Sequence, residues 1–137
     1  MKLLVVLFFA AFASFGWLGQ SADEAEYEKW MKTINATMGG LRTNIQEKKG
    51  DEVAKGAATL VDAFKKSEEF WKGRKKDDAV EWSKKAWTAA SEVETAAKAG
   101  DFDKAGTSLR GVFPNCQACH AAYREGSRET GYKFKQQ

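Results

Sequence analysis

The sequence predicts an all-α protein, an antiparallel four-helix bundle. Its composition is rich in Lys, Glu and Ala and includes a single proline, which favours helices. Apolar residues recur at three- and four-residue steps in four successive segments, and no segment alternates apolar and polar residues over a useful length. The connections between these segments are short, and short connections place consecutive helices side by side in opposite directions.

The first 21 residues are expected to be a secretory signal peptide. Lys2 is followed by the apolar run LLVVLFFAAFASFGWLG, then by Gln20-Ser21 and the acidic stretch DEAEYE. We expect cleavage after Ser21 or Ala22, release into the periplasm, and one domain over residues 22–137. The alternative is a retained membrane anchor, although the run is near the lower length limit for a spanning helix.

The first helix is predicted over residues 22–48. Its apolar stripe consists of Tyr27, Trp30, Met31, Ile34, Met38, Leu41 and Ile45. Gly39-Gly40 falls inside this stripe, and each glycine costs roughly 1 kcal/mol relative to alanine in a helix. The pair therefore marks either a kink or a place where a bulky group packs against bare backbone.

The second and third helices are separated by a predicted connector at residues 72–78. Gly50-Asp51 starts the second helix, and Asp77 or Asp78 is expected to cap the third. The apolar stripe of the second helix consists of Val53, Ala57, Leu60, Val61, Phe64 and Trp71. The stripe of the third consists of Val80, Ser83, Trp87, Ala90, Val93 and Ala97.

The fourth helix starts after Gly100-Asp101. The glycine is expected to end the third helix, and the aspartate is expected to cap the fourth. Its stripe consists of Phe102, Ala105, Leu109, Val112, Phe113, Cys116, Cys119, His120 and Tyr123. Pro114 removes a backbone hydrogen bond and clashes with the carbonyl of Arg110. Either the helix bends there, or a new helix begins with Pro114 in its first turn. We favour the bend because the stripe keeps its spacing. Residues 126–137 show no stripe and are expected to fray.

The stretch PNCQACH, residues 114–120, contains both cysteines and the only histidine of the chain. Cys116, Cys119 and His120 stand at i, i+3 and i+4, so they share one face of a helix. Two thiols on one face can each add to a vinyl group of one porphyrin, and the imidazole then reaches the iron. The C-x-x-C-H pattern therefore predicts one covalent haem c, with thioethers at Cys116 and Cys119 and His120 as proximal iron ligand.

Other kinds of chemistry fit the motif less well. A structural zinc site uses four ligands, and a carboxylate would have to join these three side chains. A thioredoxin-like redox pair requires a strand–helix setting, and a disulfide across one helical turn is geometrically awkward. No serine has a histidine at helical neighbour spacing, so hydrolytic catalysis is not expected and the chain is predicted not to be an enzyme. The net charge of +3 has its signs interspersed, which does not indicate nucleic-acid binding.

The stretch CQACHAAYR, residues 116–124, resembles the C-terminal haem motif of the cytochrome c′ family. Trp82 and WMKTINATMGGL are weaker similarities, whereas the short connector 72–78 and Pro114 depart from the family. The resemblance implies a four-helix bundle with haem on its last helix. In the c-556-type members a methionine is the sixth iron ligand, and Met31 aligns with that place. It is either a distal ligand or a pocket residue, with Met38 as the less favoured choice. Arg124 is either a cation near the proximal imidazole or a solvated surface residue.

The expected function is electron transfer by a periplasmic mono-haem cytochrome that docks onto redox partner proteins. The alternative is a five-coordinate haem protein that binds nitric oxide or carbon monoxide as a sensor or scavenger. A small peroxidase or nitrite reductase is disfavoured, because no polar distal His or Arg lies at helical spacing from Met31. The resemblance also implies pairing through the first two helices. The outward face with Glu24, Glu28 and Lys32 is charged, so a homodimer is only weakly favoured.

Overall fold

Four α-helices followed by a β-hairpin make up the protein in the computed structural model, which describes residues 22–136. The helices are α1 (Ala22–Gln46), α2 (Gly50–Gly73), α3 (Asp77–Lys98) and α4 (Phe102–Tyr123). The strands are β1 (Arg124–Ser127) and β2 (Gly131–Phe134). The expected signal peptide lies outside the described residues. Within residues 22–136 no helix combines the length and apolar character that crossing a membrane requires.

The four helices pack against one another in chain order, which confirms the predicted all-α four-helix bundle. α1 packs on α2, α2 on α3 and α3 on α4, whereas α1 and α4 touch each other at few points. The connections are only residues 47–49, 74–76 and 99–101. Each contains one residue with positive φ, namely Lys48 at 55°, Lys75 at 56° and Gly100 at 74°. This left-handed geometry is the usual way to end a helix abruptly.

The predicted cap of α4 is present, and the predicted cap of α3 is wrong. The Asp101 carboxylate accepts a 2.9 Å hydrogen bond from the backbone N–H of Lys104. In α3 the capping position is occupied by Lys76, without a side-chain cap, because the helix begins at Asp77. Asp78 therefore lies in the first turn. Its carboxylate accepts hydrogen bonds from the backbone of Ala79 and from the Tyr123 hydroxyl.

The core consists of two apolar clusters. The main cluster is mostly aliphatic, runs along the bundle and includes the fully buried Leu41, Leu60 and Val93. Burying one such side chain stabilises the fold by about 1.5–3 kcal/mol. The end cluster consists of Tyr27, Phe70, Trp71 and Ala79. It fills the bundle where α1 begins and α2 ends.

Gly39 and Gly40 lie on an exposed face of α1, and the helix runs through them without a break. A Cβ atom built on either glycine would have no described atom within 4 Å. No described side chain therefore packs on this bare backbone. The close approach lies instead at Gly56, where an added Cβ would come within 2.9 Å of the Leu41 side chain. That contact allows α1 and α2 to pack closely.

Residues 124–134 form an antiparallel hairpin, so the expectation of a frayed tail from Gly126 onward is wrong. Arg124 pairs with Phe134, and Ser127 pairs with Gly131. The Phe134 ring packs on the end cluster, with its centroid 5.4 Å from that of Tyr27. One anchoring aromatic residue is too little to show as a stripe in the sequence, yet it holds the hairpin against the bundle.

Pro114 lies inside α4, which continues from Phe102 to Tyr123. The alternative of two helices separated near Val112 is therefore wrong, and the favoured single helix is present. Because Pro114 has no N–H, the Arg110 carbonyl cannot receive its regular helical hydrogen bond. Pro114 is exposed to solvent, so water can reach this part of the helix.

Candidate functional site

Cys116, Cys119 and His120 lie on the last two turns of α4 and are half-buried. Both cysteines are free thiols. Because α4 is continuous here, the three side chains share one helix face, as their spacing predicts. The motif thus lies within a helix of a bundle, and the only strands among residues 22–136 follow it. This setting differs from the strand–helix context of a thioredoxin-like pair.

Cys116 packs against the main aliphatic cluster. Burial raises the pKa of its thiol to about 11, because an apolar environment disfavours the thiolate. At neutral pH the sulfur therefore carries its hydrogen and behaves as a small apolar group.

Cys119 packs against the end cluster, which contains Tyr27. Burial raises the pKa of this thiol to about 11, while the Tyr27 hydroxyl acts in the opposite direction. The two cysteines therefore have different surroundings, one aliphatic and one aromatic with a polar neighbour.

His120 lies in the last turn of α4, and its backbone carbonyl accepts the N–H of Arg124. Burial and, to a smaller extent, the positive charge of Arg124 together lower the pKa of the imidazole to about 4. The imidazole is therefore neutral at physiological pH. A neutral imidazole has a free lone pair, which is the form that binds a metal.

Arg124 is exposed, and its guanidinium stacks over the Tyr132 ring at 4.0 Å from the centroid. The cation–π contact holds the side chain against the hairpin. Its charge nevertheless acts on the His120 imidazole. Arg124 is therefore a surface residue whose charge also reaches the His120 imidazole.

Met31 is half-buried and packs against both core clusters. Cys116 contacts the main cluster and Cys119 the end cluster, so Met31 borders the same two clusters as the cysteines. Met38 is 9% exposed and belongs to the main cluster. Met31 is therefore the more accessible of the two methionines.

The sequence analysis did not assign two residues to the site's surroundings: Asp78, which it considered only as a helix cap, and Phe134. Asp78 accepts a 2.6 Å hydrogen bond from the hydroxyl of Tyr123, three residues after His120. Phe134 packs its ring 5.8 Å from that of Trp71, measured between centroids. A weak signal existed for Phe134, because Tyr132 and Phe134 alternate with lysines, which is typical of a strand.

A surface groove of about 620 Å³ lies between α1 and α2, away from the cysteine motif. Charged side chains dominate its walls, and none of the three motif residues contributes to it. Within the described part of the chain, no group of three or more His, Cys, Asp or Glu side chains is arranged to hold a metal ion.

The three motif residues fit the group that C-x-x-C-H implies. Covalent haem attachment requires two free thiols and a neutral imidazole on one helix face, and Cys116, Cys119 and His120 meet these requirements. Their half-buried positions combine apolar surroundings with access from outside. Comparisons of the chain with protein-family models, curated proteins and solved structures gave no match.

Proposed function

We propose that this chain is a mono-haem c-type cytochrome that carries electrons and resembles the cytochrome c′ family. One observation carries the proposal. Two free thiols and a neutral imidazole lie half-buried on one face of the last helix of a four-helix bundle. The sequence contains no further cysteine or histidine, so every thiol and imidazole of the chain lies at this face.

Each of the three side chains has a separate role. Cys116 and Cys119 would hold the haem through thioether bonds, and the His120 imidazole would bind its iron. The haem, when bound, supplies a one-electron couple at its iron. The aliphatic and aromatic clusters beneath the cysteines exclude water, and a dry environment together with the axial ligand sets the potential of such a couple.

Met31 is proposed as the distal residue. It borders the same two clusters as the cysteines, which supports a place near the haem. A thioether sulfur bound to iron would raise the reduction potential and favour electron transfer. Arg124 contributes positive charge near the proximal imidazole and so also favours the reduced iron.

Gas binding is the second candidate function. The observation that favours it is the apolar character of the clusters around Met31, which are aliphatic and aromatic. If Met31 only lines the pocket, the open iron face would take up nitric oxide or carbon monoxide, and the chain would act as a sensor or scavenger.

The proposed location of the protein follows from its first 21 residues, which resemble a secretory signal peptide. Export would bring the chain to the periplasm, and there it would exchange electrons with redox partner proteins. A homodimer through α1 and α2 is the proposed assembly. Size-exclusion chromatography of the holo-protein tests it, and a monomer at high concentration would contradict it.

Pyridine haemochrome spectroscopy on the purified full-length product tests the core of the proposal. We expect the c-type signature, with haem that acidic ketone does not extract. The variant in which both cysteines are replaced by alanine should lose the covalent haem, whereas Ser108→Ala is the matched control on the same helix. Extractable haem, or no haem, in the wild type would refute the proposal.

The reduced spectrum then separates the two candidate functions. A low-spin spectrum that does not respond to carbon monoxide indicates Met31 ligation and electron transfer. A high-spin spectrum that changes with the gas indicates the open pocket.

A further inference from the structure

We propose that Tyr123 is a redox-active tyrosine, which gives up one electron to an oxidising radical while its hydroxyl proton moves to Asp78. The indole rings of Trp71 and Trp82, which lie on either side of Tyr123, conduct the charge. This one-electron oxidation site consists of side chains of the bundle alone, so it goes beyond the proposed haem chemistry and does not depend on it.

The Tyr123 hydroxyl is paired with a proton acceptor. It donates a 2.6 Å hydrogen bond to Asp78 Oδ1, which also accepts a 2.8 Å bond from the backbone N–H of Ala79. The loss of an electron makes a phenol strongly acidic, so oxidation is easier when a base takes the proton at the same moment. A carboxylate is such a base. Lys76 Nζ lies 5.9 Å from the Tyr123 ring centroid, and an ammonium group has no acceptor atom to replace Asp78.

The other two tyrosines of the chain lie in less suitable surroundings. The Tyr27 hydroxyl oxygen accepts a 3.2 Å hydrogen bond from Trp71 Nε1, a group that only donates and takes up no proton. The Arg124 guanidinium lies over the Tyr132 ring, 4.0 Å from its centroid. A positive charge in this place opposes the removal of an electron. The hydroxyl of Tyr123, by contrast, faces a negative charge.

The ring of Tyr123 lies in a row of rings that can be oxidised. Its centroid is 4.6 Å from that of Trp71, which is buried, and 6.4 Å from that of Trp82, which is half-buried. From Trp71 the row continues to Tyr27 at 5.6 Å and on to Trp30 at 6.2 Å. Tyrosine and tryptophan are oxidised at similar potentials, and electrons pass readily between rings so close together. The row therefore connects the partly exposed Trp82 of α3 with the partly exposed Trp30 of α1.

The oxidation step is balanced by its partners. The oxidising radical gains one electron from Tyr123, the phenolic O–H bond breaks, and the hydrogen leaves as a proton to Asp78. The products are a reduced oxidant, a neutral tyrosyl radical and a protonated carboxyl group. In the return step a small one-electron reductant in solution supplies the electron through Trp82, and Asp78 returns the proton.

The test is flash photolysis of the purified full-length protein with tris(bipyridine)ruthenium(III) as the one-electron oxidant. A laser flash forms this oxidant from the ruthenium(II) complex and a cobalt(III) ammine quencher. The protein is oxidised beforehand, so that a bound haem iron supplies no electron. The reference protein and all variants carry Tyr132→Phe, because Tyr132 is 50% exposed and would add its own signal. Transient absorption and electron paramagnetic resonance record the tyrosyl radical.

Two variants test the tyrosine and its proton acceptor. Tyr123→Phe should lower the tyrosyl yield several-fold, because it removes the hydroxyl that is paired with a carboxylate. Asp78→Asn keeps the ring and removes the base, so radical formation should be about tenfold slower, since solvent water replaces a positioned proton acceptor poorly. Heavy water should slow radical formation in the reference protein, because the proton moves together with the electron. A merely structural role of the pair would give no such isotope effect.

Trp82→Phe tests conduction, and Trp87→Phe is its matched control. Both tryptophans are half-buried residues of α3. Trp87 differs in its surroundings, because its Nε1 donates to Glu68 and its ring lies 5.1 Å from Lys65 Nζ. We expect tyrosyl formation to be several-fold slower in Trp82→Phe and unchanged in Trp87→Phe.

Each part of the inference has a result that overturns it. An unchanged tyrosyl yield in Tyr123→Phe would overturn the redox role of Tyr123, and an unchanged rate in Asp78→Asn would overturn proton transfer to Asp78. Equal effects of Trp82→Phe and Trp87→Phe would overturn conduction. If Tyr123→Phe fails to fold, Asp78→Asn decides, because it changes an exposed side chain. None of these results requires covalent haem, so they are independent of the proposed function.

Discussion

The hydroxyl of Tyr123 donates a 2.6 Å hydrogen bond to the carboxylate of Asp78, although 45 residues separate them in the chain. The bond joins the end of α4, where the cysteine motif lies, to the first turn of α3. The ring of Tyr123 also packs on Trp71. The motif-bearing end of α4 is therefore held by a polar contact and an aromatic contact at once.

Removing this bond should lower the free energy of unfolding. A hydrogen bond to a charged partner contributes about 1.5–3 kcal/mol. Because Asp78 is exposed to solvent, which weakens the bond, we expect a loss of about 1 kcal/mol. We expect that loss in Tyr123→Phe and in Asp78→Asn. Chemical denaturation of the two single variants and of the double variant measures the coupling. Additive losses in the double variant would show that the two residues do not interact.

The hairpin should stabilise the bundle through Phe134. Its ring contacts Tyr27, Phe70 and Trp71 with centroids 5.4, 5.7 and 5.8 Å apart. Aromatic pairs contribute about 0.5–1.5 kcal/mol each, so Phe134→Ala should cost about 1–3 kcal/mol. Tyr132→Ala on the same strand is the control, because Tyr132 is 50% exposed. Equal effects of the two substitutions on thermal unfolding would contradict docking through Phe134.

Met31→Leu should convert the proposed low-spin haem to a high-spin haem. Leucine has nearly the same volume but no sulfur, so packing changes little, by less than about 1.5 kcal/mol. The reduced absorption spectrum, with and without carbon monoxide, records the change. Met38→Leu serves as control, since Met38 is buried in the main cluster. An unchanged low-spin spectrum in Met31→Leu would exclude ligation by this residue.

Stability should fall in acid through Glu68. Its carboxylate accepts a 2.6 Å hydrogen bond from Trp87 Nε1 and pairs with Lys72 at 2.8 Å. The hydrogen bond from Lys72, supported by that from Trp87, lowers the pKa of Glu68 below 4.5. A carboxylate with a depressed folded pKa stabilises the fold above its unfolded pKa, and this contribution is lost as the pH falls through the folded pKa.

The role of Glu68 is tested by measuring the unfolding free energy as a function of pH. The informative range lies below pH 4.5, the ordinary pKa of a glutamate. Glu68→Gln should flatten the acid limb of this curve. Glu69→Gln should leave the limb closer to the wild type, because the Glu69 side chain is 71% exposed although it contacts the same lysine. Identical curves for wild type and Glu68→Gln would show that this carboxylate contributes no pH-dependent stability.

Pro114→Ala should stabilise α4. Alanine restores the N–H that can bond to the Arg110 carbonyl, and a proline in a helix interior costs about 3 kcal/mol. Because Pro114 is exposed, the substitution leaves the core unchanged. Thermal unfolding should show a higher midpoint, with the proposed haem attachment at Cys116 unaltered. A lower midpoint would mean that the irregularity at Pro114 is required for packing.

The sequence by itself determined the four helices and the placement of the cysteine motif. Stripes such as Leu109, Val112 and Cys116 depend on residues three and four apart, and the Asp101 cap depends on its neighbour Lys104. These are local interactions, so adjacent residues are enough to reveal them. The common face of Cys116, Cys119 and His120 follows from helix geometry alone.

Only the tertiary structure decided which groups surround that face. The bond from Trp71 to Tyr27 spans 44 positions and the Ser67–Ser83 contact spans 16, and both require helices to be brought side by side. The hairpin likewise depends on Phe134 finding the aromatic end of α1 and α2. No local pattern encodes such pairs, because their energy comes from burying partners that are distant in the chain and meet only when the bundle has formed.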